Sequence, residues 1–266
     1  MERLVIVGPG RLGLALGSAL VQADAVRSLV YYGRSPDAPA HPLFDRGLAE
    51  YHFGLARPAS DTTALILTVP DAILGEMAWA LAALGPAADQ IPALHASISV
   101  SGDALAPLHG AGYAIGTWHP MVQLGLTFES AQALEGAPVL VSGEVPAAAA
   151  GRRLVHALNG RILEIPVTRR PMAAGARALV LQAGRAIRAM GTELMLDAGL
   201  SEEDARMAVA ALIRTAGSDL TAAAEVMPDP EQIDLHMRAL PSEARDLYRQ
   251  ILEGQGEPAS SGPDHR

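Results

Sequence analysis

Up to residue 165 the chain alternates short apolar runs with stretches whose apolar residues recur every three or four positions; beyond it only the second pattern persists. Short runs bounded by Gly, Pro and Asp read as strands, and the longer periodic stretches read as helices. The strands are predicted at Leu4 to Val7, Ser28 to Gly33, Glu50 to Gly54, Thr63 to Val69, Pro92 to Ala96, Tyr113 to Trp118, Val139 to Ser142 and Arg161 to Ile165. Helices are predicted at Arg11 to Gln22, Asp71 to Leu84, Asp103 to Leu108 and Pro146 to Leu158. This alternation is the signature of βαβ units on a mainly parallel sheet, so the fold class is α/β of the Rossmann type, followed by an all-helical domain.

The expected division is residues 1–166 for the sheet domain, 167–253 for the helical one and 254–266 for a disordered tail rich in Gly, Pro and Ser. The helical part opens at a candidate N-cap, Thr168, with Pro171 in the first turn, where proline is tolerated. Met172, Ala176, Leu179, Ala183, Ile187, Met190 and Leu194 then recur at helical spacing to about residue 198, a helix roughly 45 Å long at 1.5 Å per residue. Such a length exceeds what a small lobe needs for itself, and it predicts packing against a second copy, a homodimer. Ser201 followed by Glu202, Glu203 and Asp204 is an N-cap with an acidic first turn, opening a helix to about Ala216. Two shorter helices, Pro230 to Leu240 and Ser242 to Leu252, complete the lobe.

Composition narrows the chemistry. The 266 residues contain no Cys, which excludes disulfides, thiolate catalysis and Cys-based zinc sites, and the eight His show no metal-ligand spacing, so no metal is expected. A formal charge of −9 disfavours sequence-independent binding to nucleic acid. With no long apolar run and a first strand beginning at Leu4, the expectation is a cytoplasmic protein that does not engage the membrane.

The sharpest motif is Gly8-Pro9-Gly10-Arg11-Leu12-Gly13, directly after the first strand and opening the first helix. In that context the first glycine permits a tight turn, the second lets the backbone approach a pyrophosphate, and the third lets helix and strand pack closely. The phosphates then meet the positive end of the helix. The second strand ends at Gly33-Arg34-Ser35, where a protein selective for NAD would place a carboxylate for the ribose 2′-hydroxyl. An Arg with a neighbouring hydroxyl suits a 2′-phosphate, which makes NADP(H) the expected cofactor. Later strands end in Thr68-Val69-Pro70-Asp71, His95-Ala96-Ser97 and Trp118-His119-Pro120-Met121, and strand carboxyl ends form the ligand crevice of open α/β sheets.

Taken together, GPGRLG, GRS, TVPD, HAS and WHPM resemble the NADP-binding Rossmann-like oxidoreductases with a C-terminal helical domain of unknown function, relatives of pyrroline-5-carboxylate reductase, 6-phosphogluconate dehydrogenase and prephenate dehydrogenase. The resemblance runs to about residue 252 and is thinner in the second half. It implies cofactor binding at Gly8, Gly10, Gly13, Arg34 and Ser35, with Val69 and Pro70 on the nicotinamide side, and His95, Ser97 and His119 lining the crevice. It also matches Asp229 and His236 to an Asp and a His of that family. The chain departs from the pattern where a Tyr-His pair and a later Asn are expected on the long helix, having Pro171-Met172 and Val180 instead.

Hydride transfer needs a proton donor and acceptor and usually a cation for an acidic substrate. His119 is the first candidate and His95 the second, with Ser97 as a polar contact; each could equally serve its own turn. Arg177 and Arg188 lie three turns apart on one face of the long helix and are a candidate anion clamp, or a solvated stripe. Arg214, Ser218 and Thr221 would form another polar stripe if their helix continues through Gly217. Arg177 and Ser218 are accordingly the candidate substrate contacts. The expected activity is reduction of a C=O or C=N in a small carboxylate-bearing metabolite. A non-catalytic NADP(H) sensor is the alternative that Pro171-Met172 favours, and a prephenate dehydrogenase-like enzyme is a third, resting on the His119-Pro120-Met121 segment alone.

Overall fold

The computed structural model describes residues 3–87, 90–100, 102–125, 128–219 and 230–255. Among them eight strands form one sheet in the order β3-β2-β1-β4-β5-β6-β7-β8: β1 Arg3–Val7, β2 Ser28–Gly33, β3 Glu50–Phe53, β4 Thr62–Leu67, β5 Pro92–His95, β6 Ala114–Pro120, β7 Pro138–Gly143 and β8 Arg161–Leu163. Every pairing is parallel except β6 with β7. The chain order reverses at β1 and β4, the point where open α/β sheets leave a crevice beyond their carboxyl ends.

The central strands are apolar on both faces because helices cover both. Residues Leu4, Ile6, Leu29, Tyr31, Ile66, Trp118 and Val141 face α1 (Arg11–Gln22) and α5 (Val145–Ala157) in one core. Alternate residues, among them Val5, Val7, Leu65, Leu67 and Ala93, face α3 (Leu74–Ala82) and α4 (Ala106–Gly110) in the other. A short helix, α2 (Pro42–Asp45), precedes β3, with His41 as its N-cap: the ring nitrogen Nδ1 accepts from the Leu43 amide at 3.3 Å.

The chain divides into two compact units, Met1–Ala178 and Leu179–Arg266. The long helix α6 runs Arg170–Asp197, with a 3-10 turn at Val167–Arg169 before it. Thr168 therefore sits inside that turn rather than capping the helix; Pro166 stands at the turn's start, and Arg169 donates its amide to the Pro166 carbonyl. The second unit continues with α7 (Glu202–Asp219), α8 (Pro230–Ala239) and α9 (Ser242–Gln255). Ser201 caps α7 by accepting the Asp204 amide at 3.2 Å. The expected tail from residue 256 onward lies outside the described residues.

The second unit has a small core. Ala205, Val209 and Ala244 are its buried apolar residues among those described, while Leu179, Val180, Ile187, Met207 and Leu212 are exposed. Thus the periodicity that predicted α6 marks a helix, and the Leu179, Ala183, Ile187 line of that helix is uncovered in the single chain. No helix among the described residues is long and apolar enough to cross a membrane.

Candidate functional site

The glycine turn sits at the reversal point, between the ends of β1 and β4. Gly8 takes φ +101°, a conformation side chains rarely adopt, and its amide donates to the Tyr32 carbonyl at 3.0 Å. Thr68 locks the turn from the neighbouring strand, its hydroxyl donating to the Gly8 carbonyl at 2.7 Å. A Cβ on Gly13 would run into that same Gly8 carbonyl and lie 2.7 Å from the Thr68 hydroxyl, so close helix-strand packing requires glycine there. Tyr31 adds a second fastening by donating to the Gly13 carbonyl at 2.8 Å.

Gly10 is exposed with nothing within 4 Å of where its Cβ would be, and it has no side chain to cap the helix. The first bond of α1 runs from the Leu14 amide to the Gly10 carbonyl, so the Arg11, Leu12 and Gly13 amides at the helix end precede the intrahelical ladder. An uncapped helix end with open space in front fits a pyrophosphate. Pro9 and Leu12 flank it, half-buried, and Arg11 is exposed beside it.

At the end of β2, Arg34 and Ser35 are both exposed, and Arg34 has no ion-pair partner among the described residues. Tyr51 on β3, a residue the motif reading passed over, donates its hydroxyl to the Ser35 carbonyl at 2.5 Å and packs against Gly33 so tightly that a Cβ would collide with its ring. The loop bearing Arg34 is thereby tied to the sheet edge. On the other side of the turn, Val69 is half-buried and Pro70 exposed, opening a 3-10 turn at Asp71–Ile73. The strand stops at Leu67, two residues earlier than predicted; the Thr68 amide still donates to the Val7 carbonyl at 2.9 Å, and Pro70 has no amide hydrogen to carry the ladder further.

Beyond β4 the strand ends carry a polar cluster. His95 pairs with Thr117, and Thr117 with Ser142, so these three form a row across β5, β6 and β7. His95 is fully buried. Its Nδ1 accepts the Ser97 amide at 3.3 Å, which leaves the ring hydrogen on Nε2, donated to the Thr117 hydroxyl oxygen at 3.2 Å. Both ring nitrogens are therefore held by protein groups. Burial foremost, with the nearby Arg170 cation next, pushes its pKa down to about 4. Ser97 donates to the Asp71 carboxylate at 2.8 Å and accepts the Ser99 and Val100 amides, which makes it the fastening of its own loop.

His119, two residues beyond Thr117 on the same face of β6, is held differently. Its Nδ1 lies 2.5 Å from the Ala96 carbonyl, which only an N–H can satisfy, so the lone pair of the neutral ring is on Nε2. Nε2 is buried and has no partner among the described residues. Burial lowers the His119 pKa from its ordinary value, opposed by the bond to Ala96, with the Arg177 cation adding to the lowering. A buried neutral imidazole with one unused acceptor can take a proton from an alcohol or amine, and return it.

Two arginines of α6 meet this end of the sheet. Arg177 donates to the Val122 carbonyl at 3.3 Å. Arg170, absent from the sequence reading, is buried and donates to the Thr117 and Ser142 hydroxyls. Arg188 is exposed in the second unit, so the predicted pair with Arg177 shares a helix but not a compact unit. The Ser218 side chain, Thr221 and Asp229 lie outside the described residues. His236 is partnered by Tyr248, its Nδ1 3.0 Å from the phenol oxygen. A hollow between α3 and α4, lined by Trp79, Pro86, Ala104 and Pro107, contains none of the predicted site residues.

No protein-family model and no curated protein sequence matches the chain. Solved structures do. A candidate NADP oxidoreductase of Bacteroides fragilis superposes with a TM-score of 0.70 at 18% identity, over 95% of this chain and 96% of that one. Pyrroline carboxylate reductase of Plasmodium falciparum, solved with NADP bound, gives 0.64 at 14% over 95% and 90%. Prephenate dehydrogenase of A. aeolicus, solved with hydroxyphenyl propionate and NAD+, gives 0.53 at 12% over 96% and 97%. This chain shares the fold of these structures, a Rossmann-type sheet followed by helices. The likeness spans sheet and helices alike and agrees with the eight-stranded, mainly parallel arrangement above.

Proposed function

We propose that the protein is an NADP(H)-dependent oxidoreductase that reduces a C=O or C=N of a small carboxylate-bearing metabolite, with His119 handling the proton. The observation that carries this reading is the uncapped end of α1 at the reversal point of the sheet, on the same crevice side as a buried imidazole with a single free nitrogen. The bound nucleotide supplies the hydride. The chain's own groups do the rest: the Arg11, Leu12 and Gly13 amides receive the pyrophosphate, Arg34 and Ser35 the 2′-phosphate, and Val69 and Pro70 the nicotinamide end. His119 Nε2 carries the proton to the nascent oxygen or nitrogen in reduction and removes it in the reverse direction. The relatives crystallised with NADP and with NAD+ support a nicotinamide dinucleotide as the class of cofactor. Screening 2-keto acids and cyclic imines for NADPH oxidation tests the reading; specific turnover is expected.

A second reading, a non-catalytic NADP(H) sensor, is favoured by one observation: Pro171, Met172 and Val180 of α6 are exposed and apolar where the resemblance placed polar groups. Nucleotide binding with no turnover across that screen would select it. For assembly we propose a homodimer through the uncovered Leu179, Ala183, Ile187 line, since Ala205, Val209 and Ala244, the buried apolar residues among those described in this unit, bury little side-chain surface. Sedimentation of wild type against Leu179→Glu with Ile187→Glu is expected to show a dimer and a monomer.

A further inference from the structure

Arg170 is 7% exposed, yet no carboxylate lies within ion-pair distance of it among the described residues. Its partners are two hydroxyls, those of Thr117 and Ser142. It also stands at the first position of α6, the positive end of a helix dipole, where a cation is disfavoured. A buried guanidinium in that position retains its charge at a cost that a bound anion would offset.

The surrounding hydrogen bonds point the same way. Because His95 Nε2 donates to Thr117 Oγ1, and Arg170 donates to the same oxygen, the Thr117 hydroxyl hydrogen is left over. The Ser142 hydroxyl accepts from Arg170 and likewise keeps its hydrogen. Among the described residues two of the five guanidinium N–H groups find partners and three do not. Among the described residues the free valences of the cluster are thus donors, apart from one remaining lone pair on the Ser142 oxygen. The nearest acid named by its effect on His95, Asp71, is engaged by the Ser97 hydroxyl and is exposed.

We propose that Arg170, Thr117 and Ser142 form a carboxylate-binding subsite that holds the acidic group of the substrate. Thr117 and His119 are successive same-face residues of β6, about 6.6 Å apart along the strand. The subsite thus lies one strand step from the unpartnered Nε2 of His119. Arg170 meets the carboxylate while His119 meets the oxygen or nitrogen borne by the carbon that gains or loses hydride, which fixes the substrate as an acid whose reacting carbon stands close to its carboxylate. This inference rests on the oxidoreductase reading for the role of His119, and on geometry alone for the anion.

The test is calorimetric titration of malonate into the protein saturated with NADPH, so that the pyrophosphate and 2′-phosphate positions are filled, and into nucleotide-free protein. Wild type is expected to bind malonate, Arg170→Gln to bind it about ten- to hundred-fold more weakly, and Arg170→Lys to fall between. Ser142→Ala, a half-buried hydroxyl deletion that leaves the helix start intact, is expected to weaken it several-fold and covers the case in which Arg170→Gln does not fold. Equal malonate affinity in wild type and in whichever of these variants folds, or no malonate binding by wild type, overturns the proposal. Absence of NADPH binding with a variant-sensitive malonate site in nucleotide-free protein removes the cofactor reading and leaves the subsite standing.

Discussion

The Nδ1–H of His119 is donated to the carbonyl oxygen of Ala96 at 2.5 Å, and this one bond decides which ring nitrogen faces the reaction. His119→Ala is expected to lower kcat by about a hundred-fold or more, the scale of a lost general acid or base, while leaving NADPH affinity within two- to threefold. Stopped-flow measurement of hydride transfer and calorimetry read the two separately. Because the His119 pKa is lowered, reduction is expected to slow, and oxidation to quicken, as pH rises through that value.

His95 links acidity to stability. Its pKa in the folded chain is about 4 against an ordinary 6.5, so the unfolded chain binds the proton more readily in between. The resulting stability is fully present above pH 6.5 and is lost as the pH falls toward 4, on the order of 2 to 4 kcal/mol in all. Urea unfolding of wild type and His95→Gln across that window is expected to show the steeper loss in wild type. Parallel curves would mean that His95 is not the group that titrates.

Tyr51 is expected to set cofactor preference without touching the cofactor. Its hydroxyl holds the Ser35 carbonyl, and Tyr51→Phe removes that bond while keeping the ring against Gly33. The NADPH over NADH preference is expected to drop about three- to tenfold, one ordinary hydrogen bond, with little change in NADH affinity. Affinities measured for both nucleotides check this.

Thr68→Val is expected to destabilise the fold by about 1 to 2 kcal/mol and to weaken either nucleotide by a similar factor, since the hydroxyl that fixes the Gly8 carbonyl is lost. Thermal unfolding and nucleotide titration read both. A variant with unchanged affinity would show that the turn is held by its glycines alone.

Local pattern made the sheet legible. Alternating apolar runs with Gly and Pro at their ends located β1 and β2 almost to the residue, and the glycine turn carried its own context of strand before and helix after. What stayed hidden depends on contacts far apart in sequence. Nothing near Arg170 marks it as the cover of a row formed by Thr117 and Ser142, because those two meet only through strand pairing. Nor could the letters His95-Ala96-Ser97 reveal that His95 is saturated by Ser97 and Thr117 while His119 keeps a free nitrogen. The strand predicted to Val69 stops at Leu67: the Thr68 amide still donates to the Val7 carbonyl at 2.9 Å, but Pro70 just beyond has no amide hydrogen to extend the ladder. The apolar periodicity of α6 correctly marked a helix but not what covers it.

The central claim is that the open end of α1 and the Arg34 loop together hold NADP(H). Its most direct test is calorimetric titration of NADPH and of NADH into wild type and into Arg34→Ala. The account predicts tighter binding of NADPH by wild type and a preference reduced about ten- to hundred-fold in the variant, the loss of a charge-assisted contact with the 2′-phosphate. Binding of neither nucleotide by wild type would contradict it.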